Sequence, residues 1–161
     1  MKKLKNFEIE NLVKAGILAI TTNTISSESA YTVFKFKKAV KAANAALEES
    51  RRDAVKEAGI EDAPAFDKRR AELAEVKNPT SEQSEELAAL NAKYNKFAEL
   101  TNRIYNEEVE VRVSKPLSYD VWHTLQVENA NTRLGNILSP YAEELLENIL
   151  WAEPEEGYSG E

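Results

Sequence analysis

One pair of side chains in this sequence has the types and spacing of a general base. The chain has a single histidine, His123, and Asp120 lies three residues before it. On a helix, residues three apart are neighbours, so the carboxylate could orient the imidazole for proton transfer. Catalysis would need a nucleophile or a third group beside this pair, and the sequence places none there. We therefore predict a structural histidine, no catalytic residue and no enzyme.

Five basic side chains could bind an anion. They are Arg51, Arg52, Lys68, Arg69 and Arg70. If a helical hairpin brings the two groups together near its tip, they form a candidate anion patch for a nucleotide. The alternative is that each base pairs with a nearby glutamate, because alternating charges on a helix are typical of a solvated face.

Large aromatic side chains form a third set of candidates. Trp122 and Trp151 lie in the C-terminal third, and core packing is the simpler explanation for them. Trp and Tyr are also enriched among interface anchors, so a surface role is the alternative. Tyr31 and Phe34 lie off the apolar stripe of a long predicted helix. The sequence therefore proposes Tyr31, Phe34, Trp122 and Trp151 as candidate interface residues.

The composition of the 161 residues excludes several kinds of site. There is no cysteine, which excludes disulfides, thiol nucleophiles and Cys-ligated zinc. Neither a Gly-rich phosphate loop nor a metalloprotease motif occurs. We therefore predict no metal and no cofactor. No stretch approaches the ~20 apolar residues that cross a bilayer, so we expect a soluble, cytoplasmic protein and no membrane partner.

The net charge of -7 is unevenly distributed. Residues 1–41 carry eight lysines against three glutamates, whereas residues 139–161 carry seven glutamates and no base. Such an acidic end can repel nucleic acid or dock on a basic partner, and the simplest explanation is a solvated, solubilising end. We do not expect nucleic acid as a partner. Beyond residue 152 the one large side chain is Tyr158, which is too little apolar content to pack, so we predict a disordered acidic tail over 153–161.

Apolar spacing predicts two long helices. The first stripe consists of Val33, Phe36, Val40, Ala43, Leu47, Ser50 and Ala54. The second consists of Leu87, Leu90, Tyr94, Phe97, Thr101 and Ile104. Both alternate intervals of three and four, which is the spacing of a coiled-coil seam. We predict hairpin helices over about 30–58 and 81–106, antiparallel, with a connector over 59–79 that contains a short helix.

The remaining residues predict a small strand pair and further helices. Alternating valines at 109–113 predict a strand, which we pair with residues 3–9. A helix is expected over about 10–20, another after Ser118, and a terminal amphipathic helix after Pro140. The predicted fold class is mainly α: a long antiparallel coiled hairpin with a strand pair and C-terminal helices. All of residues 1–152 are assigned to a single domain.

The order of these segments resembles a family of small, uncharacterised proteins of tailed phages. The likeness rests on the serine-rich helix start SSESA, the motif NEEVEV and the acidic ending LSPYAEELLENILWAEPE. It implies a phage-encoded, non-enzymatic helical protein, located in the host cytoplasm. We expect a binding or structural protein that acts through protein contacts, in virion assembly or on a host factor.

Two further expectations concern partners. An anti-defence protein that sequesters an anionic nucleotide, or inhibits a defence enzyme, is the alternative function. The strip at Tyr31 and Phe34 lies off the seam, and an elongated hairpin has too much surface to cover every such group. Because twofold assembly commonly buries a repeated patch, we predict a homo-oligomer.

Overall fold

A computed structural model of the chain describes residues 2–130 and 140–153, and these are mainly helical. The helices are α1 (Asn6–Ala15), α2 (Ser27–Glu57), α3 (Ala63–Ala74), α4 (Ser81–Asn106), α5 (Tyr119–Asn129) and α6 (Pro140–Leu146). The strands are β1 (Leu4–Lys5), β2 (Glu108–Val109), β3 (Leu117–Ser118) and β4 (Trp151–Ala152). The predicted fold class, mainly helical with a small strand pair, is confirmed.

The chain forms two compact units that share helix α2. Unit 1 consists of Met1–Ala45 and Glu107–Glu161, and unit 2 consists of Ala46–Asn106. The division falls within α2, so the first part of this helix belongs to unit 1 and the rest to unit 2. One continuous helix belongs to both units, so this division does not test whether residues 1–152 form a single domain. The single domain stays a prediction.

The ends of α2 follow from local chemistry. Ser26 precedes the helix, and its hydroxyl accepts a hydrogen bond from the backbone N–H of Ser29 at 3.2 Å. This satisfies one of the N–H groups that a helix start leaves without a partner. At the other end Gly59 has φ +78°, a left-handed conformation that glycine adopts without steric cost. The helix begins three residues before the predicted position 30 and ends one residue before the predicted position 58.

Unit 1 contains the larger core. Val33, Phe36 and Val40 of α2 are fully buried there, together with apolar side chains of α1, α5 and α6. Trp122 and Trp151 stack at its centre with ring centroids 5.7 Å apart. They are only 0% and 3% exposed, so their assignment to an interface is wrong. The two indoles fill the core, in agreement with the core-packing explanation given from the sequence.

The predicted strand pair is confirmed, but it is shorter than expected. β1 pairs antiparallel with β2, with Leu4 opposite Val109. Residues 6–9 belong to α1 instead of a strand, because the Glu8 carboxylate accepts a hydrogen bond from the Lys5 N–H and closes the helix start. Gly16, with φ +96°, then ends α1, so the helix predicted over 10–20 is misplaced.

A second sheet was missed by sequence reasoning. β3 pairs in parallel with β4, with Leu117 opposite Trp151. The terminal helix ends at Leu146, and Asn148 turns the chain with φ +61° while its N–H donates to the Trp151 carbonyl at 2.8 Å. Residues 131–139 and 154–161 lie outside the described part of the chain. The turn predicted over 129–136 and the predicted tail fall almost entirely in them.

Unit 2 contains the hairpin. The Arg51 guanidinium lies 5.6 Å from the Tyr105 ring, and the Lys93 side chain approaches within 3.6 Å of a β-carbon built on Gly59. The numbering of α4 thus falls as that of α2 rises, which confirms the antiparallel arrangement. The buried cluster is Leu47, Ala54, Leu100 and Ile104.

The extent of the pairing differs from the prediction. Val33, Phe36 and Val40 lie in the unit 1 core instead of on the seam with α4. Tyr105 lies opposite Arg51, and α4 ends one residue later at Asn106. The helix is therefore too short to reach the first half of α2. The N-terminal half of α4 is covered by α3, where Arg69 binds Glu86. A capping box begins α4: the Thr80 hydroxyl accepts from the Gln83 N–H at 3.1 Å, and the Gln83 side-chain oxygen accepts from the Thr80 N–H at 2.9 Å.

Candidate functional site: an aromatic–lysine face on helix α2

The first half of α2 presents two opposite faces in unit 1. Its apolar stripe is buried, and most residues between the stripe positions are exposed, whereas Lys37 and Ala39 are half-buried. We call one set of them the aromatic–lysine face. It consists of Tyr31, Phe34, Lys35, Lys37, Lys38 and Lys41.

The two rings of the aromatic–lysine face are exposed and ordered against each other. Tyr31 and Phe34 are 57% and 59% exposed. Their centroids lie 6.2 Å apart with an interplanar angle of 16°. The Lys35 ammonium stands 4.6 Å from the Tyr31 ring, within cation–π range. Because the spacings i,i+3 and i,i+4 place these three side chains together on a helix, the arrangement follows directly from the sequence.

Beside the ring pair lies a shallow depression of about 380 Å³. Leu18 and Phe34 form its apolar walls, and Lys37, Lys38 and Lys41 line the rest. The Lys37 ammonium donates a hydrogen bond of 2.5 Å to the Ile20 carbonyl. Partial burial lowers the pKa of Lys37 from its usual value. This lysine therefore connects the helix to the preceding loop, whereas Lys38 and Lys41 are exposed.

Along α2, residues 29–47 around the aromatic–lysine face contain lysines and no acidic side chain. Residues 11–47 contain a single acidic side chain, Glu28. Its carboxylate already binds the Lys115 ammonium at 2.8 Å, and this hydrogen bond lowers the pKa of Glu28. The lysines at 35–41 therefore have no acidic neighbour along α2 between residues 29 and 47.

The candidate anion patch in unit 2 is largely engaged in internal interactions. Arg69 binds Glu86 through two nitrogens, at 2.7 and 2.8 Å, and this bond raises the pKa of Arg69. The Arg70 guanidinium lies over the Tyr94 ring at 3.8 Å.

Two of the other three basic residues of this patch also lie beside glutamates. Arg51 binds Glu48 at 3.4 Å, Lys68 lies 3.9 Å from Glu72, and Arg52 is exposed. An anion would compete with these glutamates for the same donors. Pairing with glutamates is therefore what the geometry favours at this patch.

The remaining candidates lie on α5 and form no site in the described part of the chain. His123 and Asp120 are both exposed, and no hydrogen bond joins their side chains among the described residues. Across residues 2–130 and 140–153, no group of three or more His, Cys, Asp or Glu side chains could hold a metal ion. In the same ranges, no helix is long and apolar enough to span a membrane.

Comparison of the chain with protein-family models, with curated proteins and with solved structures gives no match. The resemblance to small tailed-phage proteins therefore stays a prediction.

Proposed function

We propose that this is a non-enzymatic binding protein that acts through contact with another protein, at the aromatic–lysine face. The observation that carries the proposal is the exposed, stacked pair of Tyr31 and Phe34 on an uninterrupted helix. Aromatic side chains held in place before binding lose little conformational entropy and commonly supply the anchors of an interface. Both rings point away from the core, so their packing contributes little to folding.

The phage resemblance supports a setting for this binding. In that setting the protein acts in the host cytoplasm, either in virion assembly or on a host factor. Sequestration of an anionic nucleotide at Arg51, Arg52, Lys68, Arg69 and Arg70 is the alternative proposal. It would require Arg69 to leave Glu86, and no observation favours it over protein binding.

Self-association through the aromatic–lysine face is disfavoured by charge. A twofold contact would place Lys35, Lys38 and Lys41 of one copy against the same residues of the other. Like charges brought together at an interface oppose association. The predicted homo-oligomer stays a proposal, and it would have to use a different surface of the molecule.

Site-specific photo-crosslinking tests the proposal. Benzoylphenylalanine is placed at Phe34, and at Val127 as a control, since Val127 is also a highly exposed apolar residue of unit 1, 62% exposed. In cells that produce the protein we expect an adduct of defined mass from position 34 only. Tyr31→Glu in the same chain should abolish it. Equal labelling from both positions, or none from position 34, would refute the proposal.

A further inference from the structure

We infer that the occupant of the aromatic–lysine face is an acidic protein segment that inserts one apolar side chain between Leu18 and Phe34. This inference rests on the proposed function and specifies the chemistry of the partner. Two independent features of unit 1 carry it: the charge of α2 and the shape of the depression beside Phe34.

Charge complementarity selects an acidic partner. Residues 29–47 contain Lys35, Lys37, Lys38 and Lys41 and no acidic residue, in a chain whose net charge is -7. Uncompensated lysines on an otherwise acidic protein create a local positive potential, which steers an acidic surface to this site and fixes its register. A basic or neutral segment would gain neither effect.

The depression selects an apolar anchor. Its two walls, Leu18 and Phe34, are apolar, and the lysine stems that complete it are aliphatic up to their ammonium groups. Its volume of about 380 Å³ is at the lower end of the range of ligand sites, which runs from ~300 to 1,000 Å³. It suits one large aliphatic or aromatic side chain, with carboxylates on either side reaching Lys38 and Lys41.

Single-stranded nucleic acid fits the aromatic–lysine face less well. Base stacking needs free ring faces along a basic groove. One face of Tyr31 is turned to Phe34, and the Lys35 ammonium stands over the same ring.

A membrane surface fits less well too. Interfacial helices bury a broad apolar face in the headgroup region. Here the broad apolar face of α2 is turned inward, and its exposed side offers two rings. An acidic peptide segment therefore matches the face best.

Fluorescence anisotropy with designed peptides tests this inference on the full chain. The probe is a fluorescein-labelled peptide of glutamates and serines around one central leucine. One comparison peptide has glutamine in place of every glutamate, and a second has alanine in place of the leucine. We expect saturable binding of the first peptide, about tenfold weaker binding of each comparison peptide, and weakening with added salt.

Matched variants locate the binding. Phe34→Ala should weaken binding of the leucine peptide about tenfold, whereas Val127→Ala, at a similarly exposed apolar residue, should leave it unchanged. Lys38→Gln should weaken it, whereas Lys56→Gln, at another exposed lysine of α2, should not. Circular dichroism of each variant confirms that the helices are retained.

The outcomes separate this inference from the proposed function. If neither glutamate peptide binds, with leucine or with alanine at its centre, while crosslinking at position 34 still yields its adduct, the proposed function stands. The inference of an acidic segment with an apolar anchor is then wrong. If neither peptide binding nor the crosslinked adduct is observed, both the inference and the proposed function are wrong. Tighter binding of oligothymidylate or of anionic vesicles than of the leucine peptide would overturn the assignment to a protein segment.

Discussion

The two halves of helix α2 carry the same apolar spacing and end in different surroundings. In the first half Val33, Phe36 and Val40 are completely buried in the core of unit 1. In the second half Leu47 and Ala54 join a cluster with two residues of α4. A heptad spacing therefore determines which face of a helix is buried, while the identity of the covering segment depends on the rest of the chain.

The two cores that bury these halves of α2 also differ in thickness. The core of unit 1 draws side chains from both ends of the chain and from α2, and its centre is filled by stacked indoles. The cluster of unit 2 is a single layer between two helices, bordered by the partly buried Phe97 and Tyr105. A side chain removed from a single layer leaves space into which exposed neighbours can relax, whereas an enclosed core relaxes less.

The largest expected effect compares the same substitution in both cores. Leu125→Ala, at a residue with 0% exposure in unit 1, should destabilise the protein by about 4 kcal/mol, near the upper part of the range for such cavities. Leu47→Ala, at a residue with 1% exposure in unit 2, should cost about 2 kcal/mol. Urea unfolding followed by far-ultraviolet circular dichroism measures both. Equal losses would show that the two cores are equally rigid.

Much of the helical layout could be predicted because its signals are local. The start of α2 after Ser26, its end before Gly59 and the capping box at Thr80 each depend on a few neighbouring residues. The sequence also indicates part of the aromatic–lysine face. Tyr31 and Phe34 stand out as residues off the stripe, but the role of Leu18 depends on how the segment that precedes α2 folds back beside the helix.

Two of the errors concern partners that are remote in sequence. Val33 and Phe36 continue the hairpin stripe, and nothing local indicates that the unit 1 core covers them. β4 has two residues, and its partner β3 precedes it by more than thirty positions. The helix end at Leu146 had one readable signal in Asn148, because asparagine tolerates the left-handed conformation that turns the chain there.

A second comparison uses the last residues of two helices. Asn129 of α5 and Asn106 of α4 both donate to the carbonyl four residues earlier, at 2.9 and 2.8 Å. Asn129 is fully buried and also bonds both the N–H and the carbonyl of Thr21. Asn129→Ala should therefore cost about 2 kcal/mol, and the exposed Asn106→Ala under about 0.5. Calorimetric melting of the two variants checks this; a smaller loss for Asn129→Ala would contradict it.

A third substitution should stabilise unit 2. The Thr101 hydroxyl is buried and has no hydrogen-bond partner among the described residues. Thr101→Val keeps the shape and the branching at Cβ, so removing the unpaired hydroxyl should raise the free energy of unfolding by about 1 kcal/mol. Thr124→Val is the control, since its hydroxyl donates to the Asp120 carbonyl at 2.9 Å. A rise in melting temperature for the control variant alone would contradict the explanation.

The smallest effect is a local response to acid in unit 1. Burial raises the pKa of Glu128, but hydrogen bonds from Thr21 and Thr24 outweigh burial and hold the pKa below its usual 4.5. The stabilisation is therefore full at neutral pH and is lost as the pH falls through this lowered pKa. The Thr24 amide proton resonance, whose N–H donates to the same carboxylate, should move over that acidic range. Glu128→Gln should make it independent of pH, and persistence of the titration would assign it to another group.

The stacked indoles give the molecule an optical label for one of its units. The chain has two tryptophans, Trp122 and Trp151, and both belong to unit 1. Excitation at the red edge of the protein absorbance therefore reports emission from that unit alone, while the tyrosines of α4 stay dark. Rings held 5.7 Å apart should also couple as excitons through the strong far-ultraviolet band of indole, which gives a split circular dichroism signal there. Opening of unit 2 would leave emission and splitting intact, so wild-type protein can reveal, without any dye, whether its units unfold together.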